Sequence, residues 1–350
     1  MNNSFPHIDH LRYSELPVYV HIPFCSKKCG YCDFFSISDA GPFFQEKVVQ
    51  NILFQLKLLL EATRPLNIPT VYIGGGTPNS LPADVFQYLI QNIASQVKPY
   101  IRDKEFEWTV ELNPEFITRT QLSLLLKNGV NRISVGVQSF SQASLDLIER
   151  NARLKNTVDG LELVSAYWNA RWNMDIITGL PQQSIEGAKY DLEQALLFHP
   201  SHISLYTLTI EDTTPLYQKV KSGRLKPQDP DLTTDILWTL WDILRRSGYN
   251  HYEISNFALP HEEGRHNLYY WNLKPYAGIG PGAVSTLRNS CGTPARAETP
   301  GPVKKFADCS DPLSLLKWEQ LTTQQFLLEY LMMGMRTIPG ICLDDFNRIF

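Results

Sequence analysis

The sequence predicts an α/β protein built on a partial (βα)6, TIM-like barrel, with a smaller, mostly helical module at its C-terminal end. Short β-rich apolar runs alternate with longer segments of helical period, the pattern of βα units in a parallel sheet. Strand-to-strand spacing stays at roughly 25 to 50 residues, one unit per period. Each strand is followed by a polar or glycine-rich cluster, at the carboxyl end where parallel α/β folds place their sites.

Six strands are predicted, at residues 17–22, 70–73, 107–112, 132–137, 173–178 and 203–208. Helical periodicity fills the gaps at 44–61, 82–96, 118–128, 141–166 and 184–198. Six units fit either an open doubly wound sheet or an incomplete (βα)8 barrel. The strand-end clusters (25–32, 74–78, 111–114, 138–140, 179–181 and 209–211) converge on one mouth, which favours the barrel.

Beyond residue 215 the pattern changes. A helix is predicted at 231–246, then an aromatic and glycine-rich stretch to 285, a Gly/Pro-rich linker at 291–302 and a further helix at 311–336. The expected organisation is an N-terminal lead (1–16), the barrel core (17–215), a barrel extension (216–290) and a C-terminal module (291–350).

With 43% hydrophobic and 19% charged residues, the 350-residue chain reads as a globular protein, and a net charge of -4 offers no electrostatic reason to expect nucleic acid as partner. The N-terminus lacks a basic start and an apolar h-region, and no apolar run reaches membrane-spanning length; a cytoplasmic setting is expected, with peripheral membrane contact left open.

Three of the six cysteines, Cys25, Cys29 and Cys32, lie within eight residues after the first strand. At C-x3-C-x2-C spacing they can hold a cubane iron-sulfur cluster by three corners, leaving one iron free to bind something else. The alternative is zinc, with His21 or Asp33 as fourth ligand. Cys291, Cys309 and Cys342 are scattered and read as small, partly buried hydrophobes, so a reducing compartment is expected.

Gly74-Gly75-Gly76-Thr77-Pro78 lets the backbone turn sharply and approach a ligand, or is simply a tight turn. It is not a phosphate loop, because no Gly-Lys-Ser/Thr follows. Glu111 and Asn113 bring a carboxylate and an amide to a strand end, and Gln138 and Ser139 bring amide and hydroxyl to the next. Arg150 and Asp175 add one charge of each sign. Taken singly, each is an ordinary solvated loop residue; together they recur at the same end of successive strands.

Cys25, Cys29 and Cys32, with Tyr31 before the last thiol, resemble the signature of the radical S-adenosylmethionine (SAM) superfamily. The resemblance implies a 4Fe-4S cluster whose open iron binds SAM, and the Gly74–Pro78 run is similar to that family's GGGTP loop. It narrows to the branch holding oxygen-independent coproporphyrinogen III oxidases and the HemW haem chaperones, on the motifs His21-Ile-Pro-Phe-Cys25, 111–114, 136–140, 179–182 and 252–258. Tyr19, Tyr31, Gly75, Gly76, Thr77, Glu111, Gln138, Arg150 and Asp175 are thereby implied to line the SAM site.

Oxidases of this branch typically continue C-x2-C-x-C and carry a longer N-terminal lead. Here Asp33-Phe34 follows Cys32, which favours the chaperone. Arg265-His266-Asn-Leu-Tyr-Tyr-Trp271 is similar to the chaperones' H-N-x-x-Y-W motif and implies His266 as a haem ligand beside a flat aromatic surface. From chemistry alone, a histidine bonded within a buried loop serves equally well. The implied function is haem binding and transfer to acceptor proteins, with an electron donor as a further partner. Oxidative decarboxylation of coproporphyrinogen III in porphyrin biosynthesis is the enzymatic alternative, and a structural zinc protein the third. Relatives carry a longer C-terminal module than the one ending here at Phe350.

Overall fold

The computed structural model describes residues 13–288 and 294–350; most of the expected N-terminal lead and Cys291 lie outside the described residues. Strand β1 (Val18–Ile22) leads into α1 (Pro42–Thr63), β2 (Thr70–Gly75) into α2 (Ala83–Val97), and β3 (Glu107–Leu112) into α3 (Arg119–Lys127). After β4 (Arg132–Gln138) come two helices, α4 (Gln142–Leu147) and α5 (Leu154–Tyr167). Then follow β5 (Arg171–Thr178), α6 (Ile185–Leu197) and β6 (His202–Thr207). All six predicted strands form, and β1 to β6 pair in sequence order, every pair parallel.

The chain continues through α7 (Pro215–Lys221), α8 (Pro230–Arg246), β7 (Asn250–Glu253), β8 (Asn256–Ala258), α9 (Arg265–Trp271) and β9 (Ala277–Ile279). Strand β9 adds to β1 in parallel, while β8 and then β7 add antiparallel beyond β6. The result is one nine-stranded sheet in the order β7-β8-β6-β5-β4-β3-β2-β1-β9, open between its two edge strands.

Strands covered by helices on both faces read as unbroken apolar runs. These do not. Val18, Val20, Ile22, Val71, Ile73 and Val110 alternate with polar residues, and they pack with Ile52, Leu56 and Phe86 of the surrounding helices in one continuous core. Each such side chain, fully buried, contributes about 1.5–3 kcal/mol. The other face carries Tyr19, His21, Tyr72, Glu111, Asn173, Asp175 and His202, hydrogen-bonded to one another or to neighbouring lumen groups. Helices therefore cover only the outer face, and the inner face is a polar lumen.

Two predicted helices are interrupted. The segment expected at 141–166 breaks between α4 and α5, and the turn it leaves carries Arg150. The break is held by hydrogen bonds, from Leu154 N to Gln142 Oε1 at 2.8 Å and from Arg150 N to Leu145 O at 2.9 Å.

The C-terminal module contains β10 (Val284–Arg288), β11 (Pro294–Glu298), α10 (Val303–Ala307), β12 (Lys317–Gln320), α11 (Thr323–Gly334) and α12 (Leu343–Ile349). Its strands form an antiparallel sheet in the order β10-β11-β12, which the sequence reading did not anticipate. Strand β11 occupies part of the expected linker, and β12 lies within the expected helix at 311–336. Helix α11 starts late because Thr322 and Gln325 form a capping box at its N-terminus. No described helix is long and apolar enough to cross a membrane.

Candidate cluster and cofactor site

The cysteine loop springs from the carboxyl end of β1 and is tied down along its length. Cys25 N donates to Ile37 O at 3.0 Å, Gly30 N to Ile148 O at 3.0 Å, and Leu216 N to Gly30 O at 2.8 Å. On the returning limb, Phe35 O meets His21 Nε2 at 2.8 Å, while His21 Nδ1 meets Tyr19 OH at 2.9 Å. Cys29 is buried, Cys25 and Cys32 are half-buried, and all three are free thiols. Burial raises the Cys32 thiol above its usual range.

The two side chains that a zinc site would draw on for its fourth ligand are both hydrogen-bonded within the protein. Both ring nitrogens of His21 are occupied, and the Asp33 carboxylate accepts from the Thr213 hydroxyl. Among the described residues no three His, Cys, Asp or Glu side chains converge closely enough to hold a single ion.

A continuous chain of contacts joins two of the cysteines through the neighbouring strand ends. Thr77 Oγ1 lies 3.6 Å from Cys25 Sγ and accepts from Asn113 Nδ2 at 3.2 Å. Asn113 Oδ1 accepts from Arg150 Nη2 at 2.9 Å, and Arg150 Nη1 lies 3.7 Å from Cys29 Sγ. Arg150 Nη2 also donates to Gly136 O at 2.8 Å, which leaves Nε buried without a partner.

Gly136 has no side chain, and that absence makes a cradle. A Cβ there would stand 2.9 Å from Gln138 Nε2, 3.4 Å from Arg150 Nη2 and 3.5 Å from Asn113 Oδ1. Three polar side chains thus converge, with an unused guanidinium donor beside them. The residues fit an amino-acid ligand with a carboxylate next to a cluster held by thiolates.

Gly76 explains the glycine run. A Cβ there would lie 2.3 Å from Phe24 O and 3.0 Å from Cys25 Sγ, so only glycine lets β2 approach the cysteine loop. Gly75 has φ 110°, a left-handed conformation, and its N–H donates to Glu111 Oε2 at 3.1 Å. Tyr72 OH donates to the other Glu111 oxygen at 2.7 Å. Burial outweighs these bonds and pushes the Glu111 carboxyl up to about 7.

Tyr31 packs against Ile148, Ile177 and Leu180 beside the loop. Asp175 lies in the middle of β5 rather than at its end. Asn173 Nδ2 donates to it at 2.7 Å and Ser134 Oγ at 3.2 Å, yet burial still raises its carboxyl. Tyr19 likewise sits low in the lumen, its ring centroid 6.1 Å from that of Tyr72. The predicted residues therefore divide into a set around the cysteines and a deeper set in the lumen.

The sequence reading missed Asp191. On α6, its carboxylate accepts from Ser139 Oγ at 2.8 Å and Phe140 N at 2.6 Å, clamping the turn that holds Gln138 at φ 73°. Gln183 Oε1, accepting from Gly179 N at 2.9 Å, locks the next turn in the same way. The signal was present: each is a polar residue at a helical or turn position facing the strand ends.

His266 stands apart from the other predicted site residues. Its imidazole lies at the amino ends of the strands, opposite the cysteine mouth. Nδ1 meets the hydroxyl of Thr70, first residue of β2, at 2.7 Å, and Nε2 meets Tyr270 OH at 2.8 Å. Its backbone N–H donates to Glu107, first residue of β3, at 3.0 Å. The side chain is 1% exposed, and both ring nitrogens are hydrogen-bonded. Burial and the Arg132 guanidinium lower its pKa to about 3.

Residues 19–195 match the family model of the radical SAM superfamily. The haem chaperone HemW of Lactococcus lactis is 34% identical over 335 residues, spanning 95% of this chain and 84% of its own. The chain belongs to the HemW family of radical SAM proteins. The HemW of Escherichia coli is 36% identical over 277 residues, 78% of this chain and 70% of its own. Among solved structures, the E. coli coproporphyrinogen III oxidase HemN, described as a radical SAM enzyme, superposes with a TM-score of 0.74. It covers 93% of this chain and 76% of its own at 21% identity, a likeness of fold alone. A family of this kind implies a 4Fe-4S cluster and SAM, the groups for which the cysteine loop and the Gly136 cradle provide donors.

Proposed function

We propose that this HemW-family chain is a cytoplasmic haem chaperone, which binds haem and delivers it to acceptor proteins. Cys25, Cys29 and Cys32 hold one 4Fe-4S cluster, and the neighbouring strand ends hold SAM. The single observation that carries the reading is the identity of about one third, over most of the chain, to proteins named as haem chaperones. The position two residues after Cys32, where an oxidase of this branch continues with cysteine, is Phe34, which is 71% exposed.

When bound, the cluster supplies an iron that is free to take the amino and carboxylate groups of SAM. The protein's own residues do the rest. Thr77 and Arg150 donate toward the thiolates, stabilising the charge on sulfur. Arg150, Asn113 and Gln138 orient the ligand at the Gly136 cradle, and Glu111 provides a carboxylate in low dielectric for its cationic part. Tyr19, Gly75, Gly76 and Tyr31 shape the walls, while Asp175 acts on the lumen side.

The test is anaerobic reconstitution with iron and sulfide, followed by titration of SAM and haem, then incubation with coproporphyrinogen III and a reductant. A 4Fe-4S spectrum that changes on adding SAM, stoichiometric haem uptake and no tetrapyrrole product support the proposal. Conversion to protoporphyrinogen makes the chain an oxidase instead, and zinc without iron or sulfide removes both readings.

A further inference from the structure

A run of buried side chains crosses the lumen from its amino end to Asp175, and its hydrogens can be placed one after another. It begins at Gly264, the N-cap of α9, whose N–H donates to Tyr252 OH at 3.1 Å. Tyr252 OH meets His202 Nε2 at 2.7 Å, and His202 Nδ1 meets Asn173 Oδ1 at 2.6 Å. Tyr252, His202 and Asn173 are all buried.

A phenol has a single hydrogen to give. The Tyr252 oxygen already accepts from Gly264, and among the described residues His202 Nε2 is the acceptor it meets. The hydroxyl therefore donates to Nε2. Burial and the Arg132 guanidinium hold the His202 pKa well below its ordinary value, so the ring is neutral and carries its one hydrogen on Nδ1. Nδ1 then donates to Asn173 Oδ1, which fixes the way the Asn173 amide faces.

The other end of that amide points at the carboxylate. Asn173 Nδ2 donates to Asp175 Oδ1 at 2.7 Å, with Ser134 Oγ at 2.7 Å and Ser204 Oγ at 2.9 Å beside it. Ser134 Oγ in turn donates to Asp175 Oδ2 at 3.2 Å. Turned over, the amide would set its oxygen against the carboxylate. The hydrogen on His202 Nδ1 thus ensures that Asp175 meets an N–H, and lone pairs remain on both carboxylate oxygens for a donor group of a ligand.

Resting on the SAM reading above, we propose that Tyr252 and His202 are positioning residues for SAM, acting through Asn173 to hold Asp175 as an acceptor. His202 is the first residue of β6 and Tyr252 lies on β7, so the relay works from the end of the barrel opposite the cysteine loop. A histidine that merely filled space would have no need of a fixed tautomer. Here the tautomer is set by the partner of one ring nitrogen and read out by the partner of the other.

The experiment joins NMR of full-length reconstituted protein, isotope-labelled at its histidine nitrogens, to equilibrium dialysis of SAM, with iron and sulfide counted as control. In wild type, the signal that His202→Asn removes should be that of a neutral ring protonated on Nδ1. His202→Leu offers Asn173 no donor, and SAM affinity should fall about tenfold with the cluster intact. His202→Asn can return an N–H to the place of Nδ1 and should keep SAM affinity within about twofold of wild type. Tyr252→Phe should bring up the Nε2-protonated form beside the first and weaken SAM less than His202→Leu does. A wild-type His202 protonated on Nε2 overturns the proposal, as does His202→Leu that binds SAM as tightly as wild type. Where His202→Leu does not fold, the wild-type tautomer and Tyr252→Phe decide the matter by the same two readouts. If wild type binds no SAM, the SAM reading fails and this role falls with it, while the tautomer signal still separates a wrong ligand from a wrong hydrogen assignment.

Discussion

Arg150 Nη2 donates to Asn113 Oδ1 at 2.9 Å, joining the turn before α5 to the end of β3 beside the cysteine loop. The same asparagine donates to Thr77, so one side chain holds both residues that reach toward the thiols. Replacing Asn113 with alanine leaves a buried guanidinium short of an acceptor and Thr77 free to rotate. SAM affinity should fall about tenfold, the scale of a hydrogen bond to a charged group. Equilibrium dialysis of SAM against reconstituted Asn113→Ala, with iron and sulfide counted as control, measures it.

SAM binding should also depend on pH through Glu111. The buried carboxyl titrates at about 7, so in the ligand-free protein it is protonated below that value and charged above it. A cationic ligand favours the charged form. Affinity should therefore drop about tenfold per pH unit below 7 and level off above it. Calorimetric titrations across pH 5.5 to 8.5 would show the slope, and Glu111→Gln should flatten it.

Gly76→Ala places a methyl group 2.3 Å from the Phe24 carbonyl, a backbone atom that has nowhere to go. The expected outcome is loss of the cluster from an otherwise folded barrel. Iron and sulfide content should fall to a small fraction of wild type, while far-ultraviolet circular dichroism stays unchanged.

His266 predicts an acid limit to stability. Its folded pKa of about 3 lies below the ordinary 6.5, so on acidification the unfolded chain takes up a proton before the native one. The stability tied to neutral His266 is present above pH 6.5 and is lost as pH falls toward 3, at ~1.4 kcal/mol per unit for one such histidine. Burial lowers His202 as well, so both histidines withdraw stability in the same direction as pH falls below 6.5. Thermal midpoints from pH 7 to 4 should decline steeply in wild type and less steeply in His266→Gln.

The strands were legible in the sequence because each βα unit repeats one physical requirement, an apolar strand followed by an amphipathic helix. The cysteine loop and the glycine run were legible because their spacing is set by chemistry and by close approach. What stayed hidden depends on contacts between distant segments. Thr70 and Glu107 stand at the amino ends of their strands, and nothing local says that His266 will fold beneath them. Asp191 reads as one more polar residue on a helix until α6 packs against the strand ends. The alternation of Val18, Val20 and Ile22 with Tyr19 and His21 was in plain view and already marked a polar lumen. The C-terminal sheet was missed because short strands between proline and glycine look like linker until they pair.

Haem transfer is the property that separates the chaperone reading from the oxidase reading. Protein reconstituted with its cluster is loaded with haem, freed of excess and mixed with an apo haem protein, and the absorption is followed with time. Haem should remain bound in the absence of acceptor and then pass to the acceptor, whose holo spectrum appears as the donor's declines. Haem that fails to stay on the loaded protein, or that stays on it indefinitely beside a competent acceptor, contradicts the proposed function.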